Sequence, residues 1–147
     1  MSVAAFPSTR TVVKELSRRI GEGDPEGIAS LHAERVDWKL DWPETDLGRT
    51  ATPWIRPRST RVDVAAHYRE LGEHHVPEGA ASEIDRFLFD GDDAVMLGEI
   101  RRTARPTRRA YRARFAPHLT AEGGLVTRHH VYEDSLAVAR ASEAEQG

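Results

Sequence analysis

Apolar residues recur at helical spacing near the start of the chain. Val12, Val13, Leu16 and Ile20 fall on one face, which predicts a helix capped by Ser8 or Thr9 and ended by Gly21 and Gly23. A second, short helix follows at once: Asp24 is a good N-cap, Pro25 stands where a missing N–H costs nothing, and Ile28 and Leu31 form the apolar side. The period then changes to two. From Val36 to Trp42, apolar Val36, Trp38, Leu40 and Trp42 alternate with charged residues until Pro43, the pattern of a half-buried strand. Glu44 to Ser59 shows no period and holds Pro53, Trp54 and Pro57; loops of this length are often functional. Thr60 and Asp63 then form a capping-box pair for a third helix whose apolar face is Val64, Ala65, Tyr68 and Leu71.

After Pro77 the pattern is of strands. Ile84 to Phe89, Ala94 to Thr103, Tyr111 to Leu119 and Leu125 to Tyr132 are separated by Asp90-Gly91-Asp92, Arg105-Pro106-Thr107 and Glu122-Gly123-Gly124, each short enough to require antiparallel neighbours. Ser135 to Ala141 predicts a small closing helix. Helices early and strands late imply an α+β layer. The expected organisation is one domain over 11–141, a flexible N-terminus over 1–10 and a disordered tail over 142–147.

Composition narrows the chemistry. The 147 residues contain no Cys, which excludes disulfides, thiolate metal sites and a thiol nucleophile. No apolar run reaches the ~20 residues needed to span a bilayer, and Met1 to Arg10 lacks the pattern of a secretory signal. The expectation is a soluble, cytoplasmic protein with no membrane partner. The net charge of −3 hides an asymmetry, because seven arginines crowd residues 101–114 without one acid. A phosphate-tracking hairpin would use such a block, but no RNA-binding aromatic motif accompanies it and strand alternation scatters it over two faces. No nucleic-acid partner is expected, and sheet surface is the ordinary role of such a charge run.

Several segments resemble the SnoaL-like members of the NTF2-like superfamily. They are Gly23-Asp24-Pro25-Glu26, Leu31-His32-Ala33 with Val36-Asp37-Trp38, the helix Arg61 to Leu71, and Ala116 to Thr120 followed by Leu125 to Asp134. The turn Arg105-Pro106-Thr107-Arg108 departs from the family's usual Thr-Gly-basic element. The resemblance implies an NTF2-like cone, a curved antiparallel sheet wrapped around three N-terminal helices, with an apolar pocket and a homodimer. It also implies a small apolar ligand and chemistry of the isomerase, polyketide cyclase, dehydratase or epoxide hydrolase kind, without a cofactor. A non-catalytic ligand-binding or dimerisation module on the same fold is the alternative.

Strand alternation groups the candidate residues. Val126, Arg128, His130, Tyr132 and Asp134 share one face; His118 lies with Arg112, Arg114 and Ala116; Glu99 lies with Val95, Leu97 and Arg101. A one-residue slip reverses each set. With these faces inward, Asp134 or His130 serves as base and Tyr132 or His118 as donor to a developing enolate oxygen. Trp38, Trp42, Trp54 and Tyr68 then supply walls, Glu99 a further carboxylate, and Arg112, Arg114 or Arg128 a contact for an anionic ligand group. Each has a structural reading beside it: Asp134 as a helix cap, the histidines as satisfied sheet residues, Tyr132 as packing, and the tryptophans as core. His74-His75 and His129-His130 lack a metal-site spacing with a defined third ligand, and His129 and His130, as neighbours on a strand, point to opposite faces; no metal is expected.

Overall fold

The computed structural model describes residues 6–40 and 52–142. Helix α1 spans Thr9–Glu22 and α2 spans Pro25–Ala29. Strand β1 covers His32–Leu40, and α3 covers Arg61–Glu73. Strands β2 (Ala81–Asp90), β3 (Asp93–Thr103), β4 (Ala110–Glu122) and β5 (Leu125–Glu133) follow, and α4 (Ser135–Ser142) ends the described chain. No helix among the described residues is long and apolar enough to cross a membrane.

Local chemistry sets the helix ends as the sequence predicts. Ser8 caps α1 through Thr11 N, so the helix begins inside the segment expected to be flexible, and Gly23 closes it in the left-handed region at φ 69°. Asp24 caps α2 through Gly27 N. Thr60 and Asp63 form the reciprocal capping box of α3. Asp63 accepts from the backbone N–H groups of Ser59 (2.8 Å) and Thr60 (3.0 Å), which holds its carboxyl below the usual range.

The five strands form one curved sheet in the order β1-β5-β4-β3-β2. The order corrects one expectation: the sheet is mixed, not wholly antiparallel, because β1 runs parallel to β5 at its edge. The chain between β1 and β5 holds α3 and three strands, more than the crossover length a parallel pair requires. The concave face packs on α1, α2 and α3 through Val13, Leu16, Ile28, Val64, Met96 and Leu119. A second cluster, Trp54, Ile100, Tyr111, Ala113, Val138 and Ala139, is covered by α4.

A bulge decides which residues of β5 face inward. Ala121 pairs with Val126, but its neighbour Thr120 pairs with Arg128, so β5 carries one extra residue. Beyond the bulge Leu119 pairs with His129, Pro117 with Val131 and Phe115 with Glu133. An extra residue reverses the alternation. Val126 and His129 therefore both point into the core, and Arg128, His130 and Tyr132 point away from it.

Candidate functional site

Between the two apolar clusters lies a chamber of about 60 Å³, which reaches the range of small-molecule sites only together with the space of about 390 Å³ beside it. Leu40, Leu71, Ile100, Phe115 and Val131 give it apolar walls, and Trp54, His67, Tyr68, Arg102, His129 and Glu133 supply polar or aromatic groups. A wider vestibule adjoins it, sharing Ile20, Tyr68, Leu71, Ser82 and Arg102.

His129 is fixed by a relay from the helical layer. His32 Nδ1 lies 2.9 Å from the Ile28 carbonyl, which can only accept, so Nδ1 carries the proton and donates. Neutral His32 then accepts at Nε2 from His129 Nδ1–H, 3.0 Å away. His129 is left with Nε2 as its lone-pair atom while its ring lines the chamber. Both residues are buried at 0% and 1% exposure. Loss of hydration lowers the His32 pKa to about 4 and places that of His129 well below its ordinary value, with His32 and His67 adding to the effect.

The aperiodic loop supports a second histidine. Arg58 donates to the Trp54 carbonyl (3.2 Å) and to Glu70 Oε2 (3.0 Å) with its side chain almost fully buried. His67 Nδ1 donates to the same carbonyl at 3.3 Å, leaving Nε2 as its lone-pair atom. Burial takes the His67 pKa down to about 3. The Trp38 ring stands between the two, with centroids 4.7 Å from His67 and 4.6 Å from His129. Tyr68 lies edge-on to His67 at 4.9 Å and 6.4 Å from His129, and burial raises its pKa, keeping the phenol protonated.

The residues singled out from sequence divide between two faces. Trp54 and Tyr68 line the chamber, and Trp38 packs beside its histidines. Trp42 lies outside the described residues. His118 and His130 are cross-strand partners on the outer face. Their Nε2 atoms lie 3.0 Å from Asp93 Oδ1 and from Asp37 Oδ1. Arg128 stands 3.5 Å from Asp37. Glu99 is placed by Arg101 at 3.6 Å and Arg112 at 3.9 Å, while Arg114 borders a shallow outer depression with Leu97, Ala116 and Tyr132. Tyr132 is half exposed. Asp134 Oδ1 accepts from Ala137 N at 3.1 Å, capping α4. The expected acid–base set thus does not meet in the chamber, because the β5 bulge and the alternation of β3 and β4 present the other face.

Sequence reasoning passed over His129, His32, His67, Arg102 and Glu133. His32 stands in the segment Leu31-His32-Ala33, and the adjacent pair His129-His130 on one strand means that one ring must face inward. The arginine block resolves into separate jobs. Arg105 donates to the carbonyls of Glu73 (3.1 Å) and His75 (3.0 Å), closing the C-terminal end of α3, and Arg109 donates to Arg140 O at 2.6 Å in α4. Arg101 and Arg112 serve outer-face ion pairs, and Arg102 enters the chamber.

A curved sheet closed by helices over a partly polar chamber is the architecture of a small-molecule-binding α+β cone. The family model for the SnoaL-like domain matches residues 13–129, and the chain belongs to that family. Among solved structures, an NTF2-like protein of unknown function from Burkholderia pseudomallei K96243 is similar at 19% identity and TM-score 0.79, over 95% of this chain and 100% of that one. TerC, co-crystallized with polyporic acid, is similar at 16% identity and TM-score 0.75, over 92% and 98%. A protein with a ketosteroid isomerase-like fold from Catenulispora acidiphila DSM 44928, in complex with trimethylamine, is similar at 14% identity and TM-score 0.70, over 94% of each. These identities carry the fold alone. No curated protein matches the sequence.

Proposed function

We propose that the protein binds a small, largely apolar carbonyl compound in the chamber and moves a proton on it without a cofactor. The observation that carries this reading is the Ile28–His32–His129 relay, which fixes an imidazole lone pair at an apolar cavity. In the proposed step Tyr68 O–H donates to the carbonyl oxygen, and His129 Nε2 takes a proton from the adjacent carbon. The electron pair of that C–H bond becomes a C=C bond and the carbonyl π pair moves onto the oxygen, giving an enolate and an imidazolium. Return of the proton to another carbon completes an isomerisation. The low proton affinity of buried His129 makes removal uphill and return fast; the adjacent enolate charge offsets part of that cost at low dielectric. The small molecules present with TerC and with the Catenulispora protein support ligand binding on this fold.

The residues first weighed as catalytic, Asp134, His130, His118 and Tyr132, take a supporting place in this proposal. Leu88 and Tyr132, at 47% and 50% exposure, join Leu97 and Ala116 on the outer face, and a second copy pairing there gives the homodimer. Sedimentation equilibrium with Tyr132→Arg tests it: wild type runs as a dimer and the variant as a monomer, whereas unchanged mass in the variant removes this face.

Hydrogen exchange tests the reaction. 2-Tetralone in D₂O, followed by proton NMR, should exchange its α-protons faster with enzyme. His129→Gln should lose roughly 10²-fold or more of that rate, and His130→Gln should retain it. Equal loss in both variants would contradict the assignment. The strongly depressed pKa of His129 favours a second reading, in which it only accepts a hydrogen bond from a ligand; binding without exchange is its signature.

A further inference from the structure

One charged group of the chamber has no role in the chemistry above. Arg102 sits on β3 directly across from Tyr111 on β4, so the two side chains stand together on the concave face. The guanidinium lies near the Tyr111 hydroxyl, which feels it mainly as a charge. That hydroxyl is 2.7 Å from His75 Nε2, and His75 Nδ1 donates to Leu71 O at 2.7 Å. His75 must therefore accept from Tyr111 O–H, which leaves the phenol oxygen with lone pairs to offer the nearby cation. These neutral groups set the Tyr111 oxygen near Arg102 and supply no negative charge.

No carboxylate among the described residues forms an ion pair with Arg102, whereas Arg58, Arg101, Arg112 and Arg128 each have one. Arg102 is half-buried, and it lines both the inner chamber and the vestibule. A guanidinium partly withdrawn from water, with no ion-pair partner among the described residues, is stabilised by an anion that comes to it. Arg102 itself lines both spaces, so an anion held by it sits where they meet. In the vestibule Arg105 is already engaged by two carbonyls, and Glu22 at its rim is held by Arg18 at 2.6 Å. The favourable position is the neck between the two spaces.

We propose that Arg102 is an anion-binding residue, and that the natural ligand is an organic acid whose carboxylate lies at this neck while its apolar, neutral end reaches toward Tyr68 and His129. The inference rests on the chamber reading given above and adds the charge of the ligand to it. A planar carboxylate matches the guanidinium fork in two parallel hydrogen bonds, and the apolar chamber walls take the remainder of the molecule.

A matched pair of probes, 2-naphthoate and 2-acetylnaphthalene, tests it by calorimetric titration. Wild type should bind the acid roughly tenfold or more tightly than the ketone. Arg102→Gln should erase that preference with ketone affinity kept, Arg102→Lys should restore part of it, and Arg112→Gln on the outer face should leave it intact. Equal affinity for the two probes in wild type, or a preference that survives in Arg102→Gln, overturns the anion site and leaves the chamber reading standing. Binding of neither probe overturns both.

Discussion

Acidification from pH 7.5 to 5.5 should strip this fold of several kcal/mol before its carboxylates titrate. His32, His67, His75 and His129 are all at most 5% exposed. Desolvation is the leading cause of a lowered pKa in each: about 4 for His32 and His75, about 3 for His67, and well below the ordinary value for His129. Unfolded, each titrates near 6.5. Between that value and the folded one, the unfolded chain holds more protons than the native protein, so stability falls as pH falls and is fully present above 6.5. One unit below 6.5 the difference is about 1.4 kcal/mol per histidine, or about 5.5 kcal/mol for four. That is comparable to the whole stability of many domains. Urea unfolding followed by tryptophan fluorescence at pH 7.5, 6.5 and 5.5 measures it, and His75→Phe should flatten the dependence by about a quarter. A free energy that stays constant to pH 5 and falls only with the carboxylates would refute the argument.

Removing the cap of α4 in Asp134→Ala should cost about 1 kcal/mol and leave α-proton exchange unchanged, read by thermal unfolding and the 2-tetralone assay. Arg58→Ala strips the buried partner from Glu70 and leaves the Trp54 carbonyl with His67; a loss near the lower end of about 3–5 kcal/mol is expected, with a shift in tryptophan emission. Gly98→Ala would place a Cβ 2.2 Å from Glu83 O and 3.1 Å from Phe115, so a loss of about 1–3 kcal/mol should appear in denaturant melts.

Element types were readable because each had strong local chemistry. Caps at Asp24 and Thr60, the Gly-rich turns and the alternation around Trp38 all stand where they were expected. The parallel edge was not, since β1 meets β5 across nearly a hundred residues and no turn joins them. Facing in β5 was hidden for a different reason. Val126 anchors the alternation correctly, but the extra residue before Arg128 reverses it, and both faces carry a histidine, so hydrophobicity could not expose the change. In β3, Val95 and Leu97 on one side rival Met96 and Ile100 on the other, and burial alone separates them. The role of Arg102 depends on Tyr111 across the strand and His75 beyond α3, a conjunction that exists only in three dimensions.

The orientation of His129 is the centre of the account, and long-range ¹H–¹⁵N NMR of the imidazole rings tests it directly. At pH 6.0, His129 should be neutral with its proton on Nδ1, and added 2-tetralone should move its Nε2 resonance while those of His118 and His130 stay fixed. A His129 protonated at Nε2, or a ligand response confined to His118 and His130, would contradict it.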